Sequence, residues 1–212
     1  MSPKAADPNV RTALVETAAR ILTEEGPSGL TTRRLAREVG ASTMAVYTHF
    51  GGMADLLTAI SLEGFRRLAR RMARVRRTDD PVADVVGLGR AYRRNALANP
   101  SLYQVMFGSH PADWIMDDAD QAMTLGTFMT LVEGVQRCID AGRFTAEDPW
   151  AMAFQLWASV HGIVTLELSG FLTTADAART SDGMIFNLAV GFGDDPALVR
   201  RSVGGPAERA LR

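Results

Sequence analysis

Only one cysteine, Cys138, occurs in the 212 residues, so no disulfide can form within the chain. That usage fits a reducing cytoplasm. Lysine also occurs once, at Lys4, against 22 arginines, a bias that suggests a GC-rich bacterial genome. Residues 1–10 are polar and lack the apolar core of a signal peptide. The charge-free run Pro149–Leu166 has 18 residues and touches the length of a membrane span. A span is excluded because Gln155, Ser159, His161 and Thr165 interrupt the run and no basic flank anchors it. The histidines, His49, His110 and His161, lie far apart in sequence. There is no H-E-x-x-H, no G-x-S-x-G and no phosphate-binding glycine loop. The chain is therefore not read as an enzyme, and neither catalytic residues, nor a metal site, nor a cofactor is expected. Strand alternation and internal repeats are absent too, which leaves an all-α protein.

The net charge of −1 hides an asymmetry. Residues 1–80 carry 13 basic and 9 acidic side chains, and residues 81–212 carry 10 and 15, so the N-terminal part is the one suited to a polyanion. Within that part, Gly26–Leu57 organises the chain. Thr31 is placed to cap a helix whose Leu35, Ala36 and Val39 form an apolar stripe. Gly40 can take the positive φ that ends it. Ser42 caps a second helix reaching about Phe50, with Val46 and Phe50 turned inward. Helix, tight turn and helix make a helix-turn-helix, whose second helix enters the DNA major groove and reads bases with its N-terminal residues. A first helix, from about Asn9 to Glu25, supports the pair through Val10, Leu14, Ala18, Ile21 and Leu22.

Gly29–Arg33, Leu35-Ala36, Gly40, Tyr47-x-His49-Phe50 and Leu56-Leu57 together resemble the N-terminal domain of TetR-family transcriptional regulators. Thr31 sits at a helix N-terminus that favours an anion, so capping and phosphate contact weigh equally there. For Thr32 the resemblance favours phosphate contact. Arg33, whose planar fork matches guanine O6 and N7, is placed by the family pattern against DNA. Thr43, Met44 and Tyr47 face base edges: Thr43 donates or accepts, Met44 touches a thymine methyl, and Tyr47, one turn further on, touches a base or a phosphate. Ser42, Ala45, Thr48 and His49 sit against the sugar-phosphate backbone. Arg34 and Arg37 are solvated or reach phosphates. Relatives commonly carry lysine just after the recognition helix; this chain has Met53, which removes a phosphate contact and leaves backbone N–H groups of Gly51 and Gly52 nearby.

The expected layout is a helix-turn-helix domain over 1–52, a connecting helix within 53–80, an effector-binding and dimerisation domain over 81–193, and a frayed tail over 194–212. The connecting stretch, Met53–Arg77, carries an apolar stripe opposite Arg66, Arg67, Arg70, Arg71 and Arg74, most simply a solvated face. Helices follow over Pro81–Ala98, Leu102–Phe107 and within Ile115–Ala141. Asp148-Pro149 starts a further helix running to about Ser169. Gly170–Asp182 reads as a loop with at most a short helical piece, and Met184–Phe192 as a last apolar helix.

In the carboxyl half, Asn99-Pro100, Leu102-Tyr103, Met106-Phe107 and Trp157-x-x-x-His161-Gly162 resemble the Trp-His-Gly subtype of TetR-family C-terminal domain. The resemblance implies a homodimer, a pseudo-palindromic double-stranded DNA operator and a small-molecule effector. A helix apolar nearly all round, such as Pro149–Ser169, must be covered on every side, and a second copy covers the side the chain's own core leaves. Trp157, His161, Gly162 and Leu166, with Phe186 alongside, are the expected dimer contacts. Tyr92, Tyr103, Phe107, Trp114, Phe128, Trp157 and His161 are the candidate effector lining, apolar and aromatic, although each taken singly reads first as core. Arg90, Arg93 or Arg94 can supply a cation for an acidic ligand, a surface role being the simpler reading. The chain reads as a DNA-binding regulator, most simply a repressor released by a largely apolar effector. The alternative is a helical small-molecule-binding protein whose head has lost DNA binding, supported by Met53.

Overall fold

The computed structural model describes residues 8–108, 118–145 and 148–204. These residues form α1 (Pro8–Glu25), α2 (Thr32–Val39), α3 (Thr43–Phe50), α4 (Met53–Met72), α5 (Pro81–Ala98), α6 (Pro100–Phe107), α7 (Asp118–Asp140), α8 (Pro149–Leu168), α9 (Thr174–Gly191) and α10 (Pro196–Val203). No strand occurs among the described residues, and none of these helices is long and apolar enough to cross a membrane. The chain divides into two compact units: Met1–Arg67 with Asn99–Thr124, and Leu68–Ala98 with Leu125–Arg212.

The first unit is built on the inward faces of α1, α2 and α3. Leu14, Ala18, Ile21 and Leu22 meet Leu35 and Ala36, Val46 and Phe50, and Leu56 and Ile60 of α4, all buried. Burying each Leu, Ile or Phe stabilises the unit by about 1.5–3 kcal/mol. Leu102 of α6 joins the same core. α6 also lies hard against α4, since a Cβ added at Gly64 would stand 2.5 Å from Met106 Sδ.

The ends of α2 and α3 follow from local chemistry. Thr31 Oγ1 accepts from Arg34 N–H at 3.2 Å, and Ser42 Oγ accepts from Ala45 N–H at 3.1 Å, which satisfies donors the helices leave open. Gly40 adopts φ 72°, and the N–H groups of Gly40 and Ala41 return to Arg37 and Ala36 carbonyls, closing a Schellman turn.

In the second unit, α8 packs on α5 and α9, and α10 packs on α9 and α5. Val82, Val85, Val86, Val135, Cys138, Leu156, Ile163, Val164, Ile185 and Val199 are among the buried side chains. Burial raises the Cys138 thiol to about 12, so it stays protonated and unreactive.

Three expectations are corrected here. The connecting helix stops at Met72, five residues short of Arg77, where the chain tightens into a turn with Val75 N–H on Met72 O. The stretch read as a loop before Met184 is helical from Thr174: Thr173 Oγ1 accepts from Asp176 N–H at 3.1 Å and donates to Asp176 Oδ2 at 2.6 Å. The expected tail contains α10. Asp195 caps it by accepting from Ala197 and Leu198 N–H, Pro196 takes the first turn, and Val199 is fully buried.

A polar clasp secures this last helix. Arg143 donates to both Asp194 carboxylate oxygens at 2.7 Å and to Asp80 Oδ1 at 3.1 Å. Ser202 of α10 donates to Asp80 Oδ2 at 2.7 Å. Beside it, Asp84 accepts from Arg137, at 2.7 Å, and from Thr78. Two of the three arginines considered for an acidic ligand are engaged within the unit: Arg93 pairs bidentately with buried Glu167 at 2.7 Å, and Arg90 reaches Asp182 and the Val203 carbonyl, while Arg94 is exposed.

Candidate functional site

On the first unit, α3 buries Val46 and Phe50 and turns its other side chains outward. Ser42, Thr43, Met44, Tyr47 and Thr48 are exposed, and His49 is half-buried. Met44 is 66% and Tyr47 48% exposed, which removes core packing as the reason for a methionine at that position. Met44, Tyr47 and Thr48 share a face, three and four residues apart. Thr48 spends its hydroxyl proton on the Met44 carbonyl, 2.8 Å away. At the start of α2, Thr31 and Arg33 are exposed and Thr32 is half-buried. Thr31 acts as a cap, which leaves the N–H groups of the first turn directed outward.

The basic side chains of this unit divide into two kinds. Arg34 is held by both oxygens of Glu25 and by Glu38 Oε1, and Arg20 by Glu24 and Glu38. The hydrogen bonds that Arg34 donates to Glu25 and Glu38 raise its pKa further and lower those of both carboxylates. Arg34 thereby ties α2 to the end of α1, and the reading of it as a phosphate contact gives way to that role. Arg33 and Arg37 are exposed and form no ion pair among the described residues. Arg11 lies over the Phe50 ring, 5.1 Å from its centroid. Past α3, Gly51 takes φ 68°, and Met53 opens α4 with 38% of its surface exposed.

The candidate effector residues fall into two groups, one in each unit. The Tyr103 and Phe107 rings meet at a tilt with centroids 4.9 Å apart, with Phe65 edge-on to Phe107, in the first unit. Tyr92, Phe128, Trp157 and His161 come together in the second. Trp114 lies outside the described residues. Trp150 and Phe154 join the second group, with rings 5.7 and 4.5 Å from Phe128. The signal for them was the spacing 150, 154, 157, 161, which is one face of α8. Tyr92 Oη and His161 Nδ1 share a hydrogen bond of 2.9 Å within this aromatic setting. Burial lowers the His161 pKa, so the ring is neutral near pH 7.

Of the expected dimer residues, Leu166 is 42% exposed and Gly162 faces open space, with nothing within 4 Å of an added Cβ. Trp157 and His161 are half-buried, and Phe186 of α9 lies under Arg200, 5.5 Å from its ring centre.

Comparison with known proteins adds independent findings. Residues 14–60 match the family model described as bacterial regulatory proteins, tetR family, and residues 85–188 match a tetracyclin repressor-like C-terminal domain. The latter match does not single out the Trp-His-Gly subtype. An HTH-type transcriptional regulator of Mycobacterium tuberculosis, Rv1816, is 28% identical over 76% of this chain and 81% of its own length. The class C tetracycline repressor protein of Escherichia coli is 34% identical over 52% of this chain and 50% of its own. Among solved structures, a protein of unknown function from Rhodococcus sp. RHA1 is 27% identical, with a TM-score of 0.77 over 92% of this chain and 100% of that one. RolR, solved with the ligand resorcinol, shares the fold at 17% identity and TM-score 0.70, over 94% and 95% of the two chains.

Proposed function

The chain belongs to the TetR family of DNA-binding transcriptional regulators, and from that premise we propose that it is a homodimeric repressor released from its operator by a small, largely apolar effector. The observation that carries the reading is α3: a capped helix with one face sealed in the core and Thr43, Met44, Tyr47 and Thr48 outward. Thr31, Thr32 and Arg33, at the start of α2, supply phosphate contacts and one guanine contact. Ser42, Thr48 and His49 brace the recognition helix on the backbone. Two heads related by a two-fold axis take successive major-groove faces of a pseudo-palindrome. Such a protein works in the cytoplasm, beside the DNA.

Dimerisation is assigned to α8 and α9, which pack together and leave Gly162, Leu166 and Met184 toward solvent. The effector is assigned to the second unit's aromatic group. Phe128, Trp157 and their neighbours offer apolar surface, and the Tyr92–His161 pair offers one neutral polar locus. With Arg90 and Arg93 already paired, an uncharged ligand suits this setting better than an anion. An effector that favours one head separation over the other shifts the dimer away from its DNA-binding state.

The test is selection of bound fragments from random duplex DNA, followed by release assays with pools of small molecules. Enrichment of an inverted repeat, and its release by an uncharged apolar compound, are expected. Failure to enrich any sequence, together with ligand-induced melting shifts, would mean that the head no longer binds DNA.

A further inference from the structure

Apolar side chains at the reading surface of a DNA-binding head are out of place on electrostatic grounds. Met44 is 66%, Tyr47 48% and Met53 38% exposed, all within ten residues of one another in sequence. None of the three is needed by the core, which Val46, Phe50, Leu56 and Ile60 already fill. Over the same region the exposed cations of α2 outside ion pairs among the described residues are Arg33 and Arg37. Arg34 and Arg20 are committed to Glu24, Glu25 and Glu38. Arg11 is drawn over Phe50. The first residue of α4 is a methionine, which contributes no charge.

The DNA major groove carries only one kind of apolar group on unmodified bases, the C5-methyl of thymine. Met44 and Tyr47 share the outward face of α3 near its N-terminus, the part of a recognition helix that meets base edges. A methionine side chain is unbranched and polarisable and adapts to a small apolar knob. We propose that Met44, with Tyr47 one turn on, reads thymine C5-methyl groups in each half-site, so that sequence preference in this head rests on apolar contact more than on charge. The inference depends on the DNA-binding reading and specifies what that site selects. Arg33 supplies a hydrogen-bonding contact at a different base pair, and Thr43 a second polar one. Met44 and Tyr47 then fix where thymine stands between them.

The experiment replaces thymine by deoxyuridine, position by position, in the selected operator. The exchange removes the methyl group and leaves every hydrogen-bonding atom in place. Binding of the full-length protein is expected to weaken roughly fourfold for each contacted methyl, the worth of one buried methyl group. 5-Bromodeoxyuridine, whose bromine fills the methyl's place, is expected to restore it. Met44→Ala should bind the thymine operator more weakly and lose the deoxyuridine penalty at one position per half-site. Met44 is exposed, so the variant keeps its fold, which its melting curve checks. If the variant fails that check, the base exchange on the unaltered protein still decides. Equal binding of thymine and deoxyuridine operators overturns the proposal, as does an undiminished penalty in folded Met44→Ala. Either result leaves DNA binding itself intact. Failure of the unaltered protein to enrich any DNA is a separate outcome and counts against the functional reading on which this one rests.

Discussion

Single side chains set the affinity and preference expected of the head. Arg33 is exposed at the start of α2 and has no acidic partner among the described residues, whereas Arg34 beside it is tied to Glu25 and Glu38. Arg33→Ala should cost about 1–3 kcal/mol of operator binding and relax preference at one base pair per half-site. A gel-shift series showing equal loss on every sequence would reduce Arg33 to a phosphate contact. Met53 allows the opposite experiment. Met53→Lys adds a cation at the first residue of α4, whose N-terminal N–H groups already favour an anion. Specific and random DNA should both bind more tightly. The log–log salt dependence should steepen by about 0.9 for each phosphate newly neutralised. Unchanged affinity at low salt would show that this position points away from the duplex. The neighbouring arginines show where sequence reading stops. Arg33 and Arg34 are adjacent and chemically identical; Glu38 lies one turn along α2 from Arg34, but only the packing of α1 against α2 brings Glu25 to it.

Helices were legible where their ends carry local signals, and less so where their inner faces are small. α2, α3 and α8 start at the caps read from Thr31, Ser42 and Asp148. The outward set on α3 follows from the same spacing that buries Val46 and Phe50. The first half of α9 was missed because Ala177 and Ser181 are its buried residues, too small or too polar to register as a hydrophobic stripe. Its Thr173-x-x-Asp176 cap was nonetheless present. α10 carries the Asp-Pro start that marked α8, but its inward side holds only Val199 and Ser202, and the clasp that secures it joins residues far apart in sequence. That clasp makes a stability prediction. Asp194 is almost fully buried and both of its oxygens face Arg143, so Arg143→Ala leaves an unpaired buried charge. The loss should be about 3–5 kcal/mol, visible as a lowered melting temperature. Asp80 adds a pH dependence. Burial alone would raise its pKa, but hydrogen bonds from Ser202, the Ala83 N–H and Arg143, with that arginine's charge, outweigh it and hold the carboxyl below its usual value. A group with a depressed folded pKa contributes stability above its unfolded pKa and loses it as pH falls through the folded one. The hold of Asp80 on α10 should therefore persist down to the ordinary aspartate range, about pH 3.9, and weaken only below it, and Asp80→Asn should flatten that response in hydrogen-exchange measurements. An acid response unchanged in the variant would place the sensitivity in other carboxylates.

For the whole molecule the question is what covers α8. Its inner face is buried through Met152, Leu156, Val160, Ile163 and Val164, yet Trp150, Phe154 and Leu166 stay between 39% and 49% exposed. Phe171, just beyond its end, is 79% exposed. Along the same helix, Ala151, Gln155, Ala158, Gly162 and Thr165 turn partly or wholly to solvent, a surface without charge and with little bulk. α9 continues it with Gly183, Met184 and Gly191, and neither glycine meets anything within 4 Å of an added Cβ. A surface of small and apolar groups lets a second helix pair approach closely, and a two-fold axis covers the patch with its own copy. Gly162→Leu isolates this contact. Within one chain the new side chain enters open space, and leucine favours the helix over glycine by about 1 kcal/mol, so the monomer's fold is undisturbed. Across a two-fold interface the same side chain meets its counterpart or the partner's helix and overpacks it. Sedimentation should show the variant as a folded monomer with an unchanged or raised helical melting point. Its operator binding should collapse, because one head alone holds half of a palindrome. A variant that remains a tight dimer with normal operator affinity would place the interface away from Gly162.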